Sequence, residues 1–292
     1  MFIATLIAKE RLSSGDISAA EDALAAVGVH SFGRSWIEPE RACDLLFSSA
    51  PQPARSVLEG LIDGVDVVVQ GEAGRRKKLL IADMDSTMIT VECIDELADY
   101  AGIKPEIAAI TERAMRGELV FEEALDARVA LLKDLDEDLI ERCRVERVEI
   151  TAGAIPLVRT MRRAGARTLL VSGGFTHFVD AVGAEIGFET TLSNRLGLSK
   201  GRLDGTVARP IVGSEAKLKA LIDTAGANGI DLADTLAVGD GANDIPMLEA
   251  AGLGVAFHAK PKTAAAAAAR IEHCDLSALL FAQGYSRSEW ER

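Results

Sequence analysis

Leu79-Leu80-Ile81-Ala82-Asp83-Met84-Asp85-Ser86-Thr87 carries four apolar residues straight into a pair of carboxylates. A short, fully apolar run bounded by polar residues reads as a buried strand. Three further runs have the same character: Thr168-Leu169-Leu170-Val171, Thr235-Leu236-Ala237-Val238 and Leu253-Gly254-Val255-Ala256. Continuous apolar strands separated by helical stretches indicate an α/β fold, with a Rossmann-like parallel sheet covered on both faces. Such sheets place their chemistry beyond the carboxyl ends of the strands. Three of the four runs meet polar residues there: Asp83 and Asp85, Ser172, and Asp240.

Between the first two runs, residues 91–149 are charged and show helical spacing, as in Ile107, Ile110 and Ala114, and again in Leu125, Val129 and Leu132. A helical insertion so soon after a strand end predicts a cap over that end. Residues 190–207 read as a β-hairpin around Gly197 and Gly201. Residues 264–269 are six alanines, which predicts helix.

Upstream, residues 2–8 read as a strand, and Asp16 as the cap of a helix that stops at Gly28. Short strands follow at residues 35–37 and 42–47, then a helix at 51–61 and a strand at 65–70. The order β-α-β-β-α-β is that of a ferredoxin-like α+β sandwich. Residues 71–78, rich in Gly, Arg and Lys, read as a polar linker. The expected organisation is a small domain over residues 1–72 and a larger one over 73–292, with its cap at about 91–149.

The chain has 292 residues, of which 48% are hydrophobic and 26% charged, enough to bury a core without disulfides. Asp plus Glu number 45 against 32 Lys plus Arg, a formal net charge of -13. That balance argues against general nucleic-acid or anionic-membrane binding, both of which need concentrated positive charge. Cys43, Cys93, Cys143 and Cys274 form no C-x-x-C pair, so neither a zinc site nor a dithiol motif is indicated. Lys9 and Glu10 come too early for a secretory signal, and no apolar run approaches the roughly 20 residues of a membrane span. The expectation is a soluble cytoplasmic protein with reduced thiols.

Four groups of residues carry chemistry. Asp83 and Asp85 can point into one space where a strand breaks into a loop. An ionised Asp can attack phosphorus, and a neighbouring carboxyl can serve as acid and then base. Alone, such a pair is as readily a solvated turn. Ser172-Gly173-Gly174 offers a hydroxyl and unobstructed backbone N–H groups to an anion, although Gly-Gly after a strand is more often a plain turn. Lys217, at the start of an apparent helix, is either a surface lysine or a fixed charge for a phosphoryl group. Gly239-Asp240-Gly241-Ala242-Asn243-Asp244 is the most specific string, with oxygen ligands suited to Mg²⁺.

Together and in this order, these motifs resemble the haloacid dehalogenase-like superfamily from Leu79 onward, about three-quarters of the chain. Asp85 matches the acid/base of its phosphatases and phosphomutases. The cap narrows the likeness. Val91-Glu92-Cys93-Ile94-Asp95-Glu96, Thr111-Glu112-Arg113-Ala114-Met115-Arg116-Gly117-Glu118 and the stretch from Phe121 to Val129 resemble the phosphoserine phosphatase family. That resemblance implies Mg²⁺-dependent hydrolysis of O-phospho-L-serine, the last step of serine biosynthesis. It implies Asp83 as nucleophile and Asp85 as acid/base. Mg²⁺ would sit on Asp83, the Asp85 backbone carbonyl and Asp240, with Asp244 orienting its waters. Ser172, Gly173, Gly174, Lys217 and Asn243 would hold the phosphoryl group. Glu92 would face the substrate ammonium, Arg128 its carboxylate, and Met115 and Phe121 would shield the site. Arg suits a carboxylate better than Lys does. The N-terminal segment resembles the ACT-like extension of bacterial members, which implies a regulatory or dimerising role and a homodimer. A phosphatase for another small monoester, a phosphomutase and an amino-acid sensor remain as competing readings.

Overall fold

The computed structural model describes residues 1–49, 51–115 and 118–292, with Met115 described by its backbone alone. The N-terminal part runs β1 (Phe2–Ala8), α1 (Ser14–Ala26), β2 (Gly33–Glu38), β3 (Ala42–Phe47), α2 (Pro51–Leu58) and β4 (Val65–Gly71). The strands form an antiparallel sheet in the order β2-β3-β1-β4, a ferredoxin-like arrangement. Leu6, Leu24, Leu45 and Phe47 are buried between this sheet and its helices.

Two helix limits differ from the sequence reading. The cap of α1 is Ser13, not Asp16. Ser13 Oγ accepts the Asp16 N–H at 3.2 Å, and Asp16 Oδ2 accepts the Ser13 N–H at 2.8 Å. Asp16 is therefore the reciprocal partner inside the first turn of a capping box. Helix α2 ends at Leu58 rather than at residue 61, because Gly60 takes a positive φ of 74° that breaks the helix.

The larger part starts with β5 (Leu79–Ala82), whose four residues are all buried. Four cap helices follow: α3 (Cys93–Tyr100), α4 (Lys104–Met115), α5 (Phe121–Leu131) and α6 (Asp138–Arg147). Then come α7 (Ala154–Arg163), β6 (Arg167–Phe175), α8 (Thr176–Ile186), β7 (Thr190–Asn194), β8 (Leu196–Ser199), β9 (Arg202–Val207) and α9 (Ser214–Ala227). The chain continues through β10 (Thr235–Gly239), α10 (Ile245–Ala250), β11 (Leu253–Phe257), α11 (Pro261–Ala266), β12 (Ala269–Ile271) and α12 (Ala278–Ala282).

Six strands make a parallel sheet in the order β12-β11-β10-β5-β6-β7. From β5 the chain builds outward through β6 and β7, then returns to the other side of β5 with β10. The strand order thus reverses between β5 and β10, where open α/β sheets form their binding crevice. The register pairs Ala82 with Val238 on one side and with Leu170 on the other. Asp83, Asp240 and Ser172 are consequently brought to one end of three adjacent strands.

All four apolar runs are strands of this sheet, but the sheet has two more. Thr190–Asn194 is not part of the hairpin; it pairs in parallel with β6, and the hairpin is β8–β9 alone. The alanine run is not one helix. Helix α11 stops at Ala266, and Ala269 enters β12, where pairing with β11 overrides helix propensity.

The cap joins the core through two short antiparallel crossings. Ile89 bridges Ile150, the Thr90 N–H donates to the Glu149 carbonyl at 3.0 Å, and the Thr151 N–H donates to the Met88 carbonyl at 3.0 Å. Ile7, Ala42 and Val68 pack the N-terminal sheet against the core, and polar clamps add to this. Arg75 Nη1 donates to Asp44 Oδ2 at 2.6 Å and its Nη2 to the Ala282 carbonyl at 3.1 Å. Asp66 accepts the N–H groups of Glu272, His273 and Cys274. The four cysteines are free and buried. No helix among the described residues is long and apolar enough to cross a membrane.

Candidate active site

Asp83 leaves β5 with its N–H donating to the Val238 carbonyl at 3.0 Å, which ties the start of the loop to β10. The loop then turns tightly over Met84–Met88, and Ser86 takes a positive φ of 54°. This reversal brings Asp85 back beside Asp83. Asp85 Oδ1 accepts the Cys93 N–H at 2.9 Å, at the first turn of α3, and Oδ2 accepts the Ser172 hydroxyl at 3.2 Å. Burial raises the Asp85 pKa, against the opposing effect of the Cys93 N–H. A raised pKa favours the protonated carboxyl, the form that can give a proton to a leaving group.

Lys217 is fully buried, and its Nζ lies 2.6 Å from Asp83 Oδ1 and 2.7 Å from Asp244 Oδ1. Burial opposes the lysine charge, but Asp83 and Asp244 outweigh it and raise its pKa. The second oxygen of Asp244 accepts the Gly241 N–H at 3.0 Å. Burial, then Asp244, pushes the Asp83 carboxyl upward, with Lys217 acting in the other direction. Asp240, half-buried at the end of β10, is pushed up to about 6 by burial and by Asp244. The Thr87 hydroxyl donates to Asp240 Oδ1 at 3.4 Å.

Asp83, Asp240 and Asp244 each offer a carboxylate oxygen, all within 4.8 Å of one another. One buried ammonium cannot balance three carboxylates, and every donor is a hard oxygen. The set fits a small divalent cation such as Mg²⁺. With both Asp244 oxygens already engaged, Asp83 and Asp240 have the more available lone pairs.

These residues open into a cavity of about 460 Å³. Asp83, Asp85, Gly173, Gly174, Asp240 and Asn243 form its floor, and Glu92, Phe121 and Arg128 reach it from the cap. At Gly174 an added Cβ would lie 3.0 Å from both Asp85 Oδ2 and Ser172 Oγ, so the backbone approaches the carboxylate only because a side chain is missing. Phe121, the first residue of α5, covers Gly173: a Cβ there would meet the ring at 3.2 Å.

On the cap side, Ser86 Oγ donates to Glu92 Oε1 at 2.7 Å. Glu92 keeps solvent access at the rim, yet the protein around it displaces much of its water. That burial, then Asp85, pushes its carboxyl up to about 7. Arg128 is half-buried on α5, where Nε donates to the Ala124 carbonyl at 3.2 Å. Burial lowers its pKa, and Asp95, Glu92 and Asp85 oppose that shift. A carboxylate just before α3 and a guanidinium on α5 therefore face one cavity.

Two expected site residues stand back from the cavity, and one cannot be placed on it. Ser172 and Lys217 lie behind the cavity wall and act on it through Asp85 and Asp83. Met115 closes α4, and its side chain lies outside the described residues. Asn194 goes unnoticed in the sequence, where it looks like a hairpin residue. It is buried, donates from Nδ2 to the Gly173 carbonyl at 2.9 Å and the Val212 carbonyl at 3.2 Å, and accepts the Val212 N–H at 2.7 Å. It thereby fixes the Ser172–Gly174 backbone against the segment leading into α9. Lys260 also lines the cavity beside Asp240 and carries no motif signal.

The model of haloacid dehalogenase-like hydrolases matches residues 80–249. Phosphoserine phosphatase of Mycobacterium tuberculosis is 41% identical over 289 residues, 96% of this chain and 70% of that protein. Phosphoserine phosphatase of Streptomyces coelicolor is 43% identical over 244 residues, 82% of this chain but only 59% of that protein's length. The crystal structure of a probable phosphoserine phosphatase from Vibrio cholerae superimposes with a TM-score of 0.79 at 31% identity, over 99% of this chain and 87% of that one. The chain belongs to the haloacid dehalogenase-like hydrolase family and, within it, to the phosphoserine phosphatases.

Proposed function

We propose that this protein hydrolyses O-phospho-L-serine to L-serine and phosphate. One observation carries the reading: a single cavity holds Asp83 and Asp85 on its floor and presents Glu92 and Arg128 from the cap. Phosphoserine bears a phosphate, an ammonium and a carboxylate. These groups ask for a phosphoryl-transfer floor, an anion and a planar bidentate cation.

An Asp83 oxygen attacks phosphorus, and the bond from phosphorus to the serine oxygen breaks. Asp85 gives its proton to that oxygen, and serine leaves. The Asp85 carboxylate then takes a proton from a water whose oxygen attacks the aspartyl-phosphate. The bond from phosphorus to Asp83 breaks, phosphate leaves, and both groups are reset. Lys217 holds Asp83 in place, and the Gly173, Gly174 and Asn243 surface takes the phosphoryl oxygens. Asp83, the Asp85 carbonyl and Asp240 would hold Mg²⁺, with Asp244 orienting its waters, and the ion would supply positive charge for those oxygens. Glu92 takes the ammonium and Arg128 the carboxylate, while Phe121 excludes bulk water.

The reading extends to a cytoplasmic enzyme whose residues 1–72 form an ACT-like domain that regulates it or joins it into a homodimer. Acid-quenching the enzyme during turnover of phosphate-labelled O-phospho-L-serine tests the chemistry. Label should remain on the protein, and Asp83→Asn should lose both label and turnover. Labelled Asp83→Asn protein would remove Asp83 as the nucleophile.

A further inference from the structure

A second, larger cavity of about 580 Å³ lies away from the acidic floor. Its size falls within the range of small-molecule sites. Three parts of the chain enclose it. Lys9 and Arg41 come from the N-terminal sheet, His258 and His273 from the segments after β11 and β12, and Thr90 and Thr151 from the crossings that join cap to core. Ser86, which holds Glu92 in the active site, also borders it.

The charge of this cavity runs against that of the protein. In a chain of net charge -13 it carries two full cations and two imidazoles. Its one carboxylate, Asp275, is already engaged by the Ser277 N–H at 2.8 Å and the Ser277 hydroxyl. Arg41 supplies a second, independent observation: among the described residues its buried Nε meets no hydrogen-bond partner. Among the described residues its guanidinium makes one hydrogen bond, from Nη1 to the Glu10 carbonyl at 3.3 Å, and no ion pair. A guanidinium that borders a basic cavity without a counter-ion points to an anionic occupant. The Nη groups of a guanidinium can grip the two oxygens of a carboxylate or a phosphate side by side.

We infer that this cavity is a second binding site, for a small anion bearing a carboxylate or a phosphate, gripped by the Arg41 guanidinium with Lys9 beside it. Its occupant would touch the N-terminal sheet, the core and both crossings of the cap hinge at once. The acidic cavity under the cap, with Arg128 and Lys260 as its cations, is a separate site.

Calorimetric titration of the full chain with malonate, and separately with inorganic phosphate, tests this. At least one of the two should bind saturably. Arg41→Gln should weaken that binding by about tenfold or more, since the bidentate contact is lost. Arg128→Ala should leave it unchanged, which separates it from binding under the cap. Thr151→Phe fills the cavity from the hinge side with the guanidinium intact and should give the same loss; thermal melts show that both variants are folded. No saturation by either probe at about 10 mM would overturn the inference. So would binding that survives both Arg41→Gln and Thr151→Phe in folded protein, or binding that depends on Arg128 alone.

Discussion

The Lys217 ammonium, with no exposed surface, lies 2.6 Å from Asp83 Oδ1. The same nitrogen lies 2.7 Å from Asp244 Oδ1, so one buried cation serves two buried carboxylates. This pairing fixes the proposed nucleophile together with the Met84 N–H, which donates to the same Asp83 oxygen at 2.8 Å. Replacing Lys217 by Met leaves both carboxylates buried without their counter-charge. The variant should lose about 3–5 kcal/mol of stability in urea unfolding, besides its turnover. A loss under about 1 kcal/mol would mean that the pair is not closed in solution.

Arg128 separates substrate reading from chemistry. Arg128→Lys keeps the charge and loses the planar fork. It should lower kcat/KM for phosphoserine by about 1–3 kcal/mol. Phosphoethanolamine, which lacks the carboxylate, should be used equally by both proteins. An equal loss on the two substrates would assign Arg128 to cap packing.

The Glu92 carboxyl, pushed up to about 7, gives the pH profile a sign. Its attraction for the substrate ammonium exists only when it is ionised. That contribution is complete above the raised pKa and is lost as pH falls through it. The acid limb of kcat/KM for phosphoserine should therefore bend at or below about 7, the solvent access of Glu92 setting that upper end. Glu92→Gln should lower kcat/KM at high pH and remove this bend. An identical acid limb in the variant would assign it to other groups.

Asn194 is the least conspicuous support of the site. Asn194→Asp keeps an acceptor for the Val212 N–H but turns an oxygen toward the Gly173 and Val212 carbonyls. The buried mismatch should cost about 1–3 kcal/mol in chemical unfolding and lower kcat more than it raises KM. Unchanged kcat in a destabilised variant would limit Asn194 to a structural role.

What the sequence makes legible follows the strength of each local signal. The runs at Leu79, Thr168, Thr235 and Leu253 are apolar because both faces of their strands are covered, and all four are strands. Thr190–Asn194 alternates between exposed and half-buried residues at the sheet edge, ending on buried Asn194, so its short polar pattern resembles a hairpin arm. Ala269–Ile271 is hidden by the alanines before it, since local propensity favours helix and only the neighbouring strand makes it β. Asp83, Asp85, Asp240 and Asp244 can be read from their motifs because glycines and strand ends surround them. Asn194 and Lys260 cannot, because their partners are brought together only by the strand order. The cavity at Arg41 has no motif at all, since three distant segments build it.

The most direct test of the account is phosphate release from O-phospho-L-serine beside phosphothreonine, phosphoethanolamine and a sugar phosphate, each with Mg²⁺ and with EDTA. The account predicts release that stops with EDTA and a kcat/KM for phosphoserine well above the other three. Equal use of a sugar phosphate, or phosphoserine hydrolysis that persists in EDTA, would contradict it.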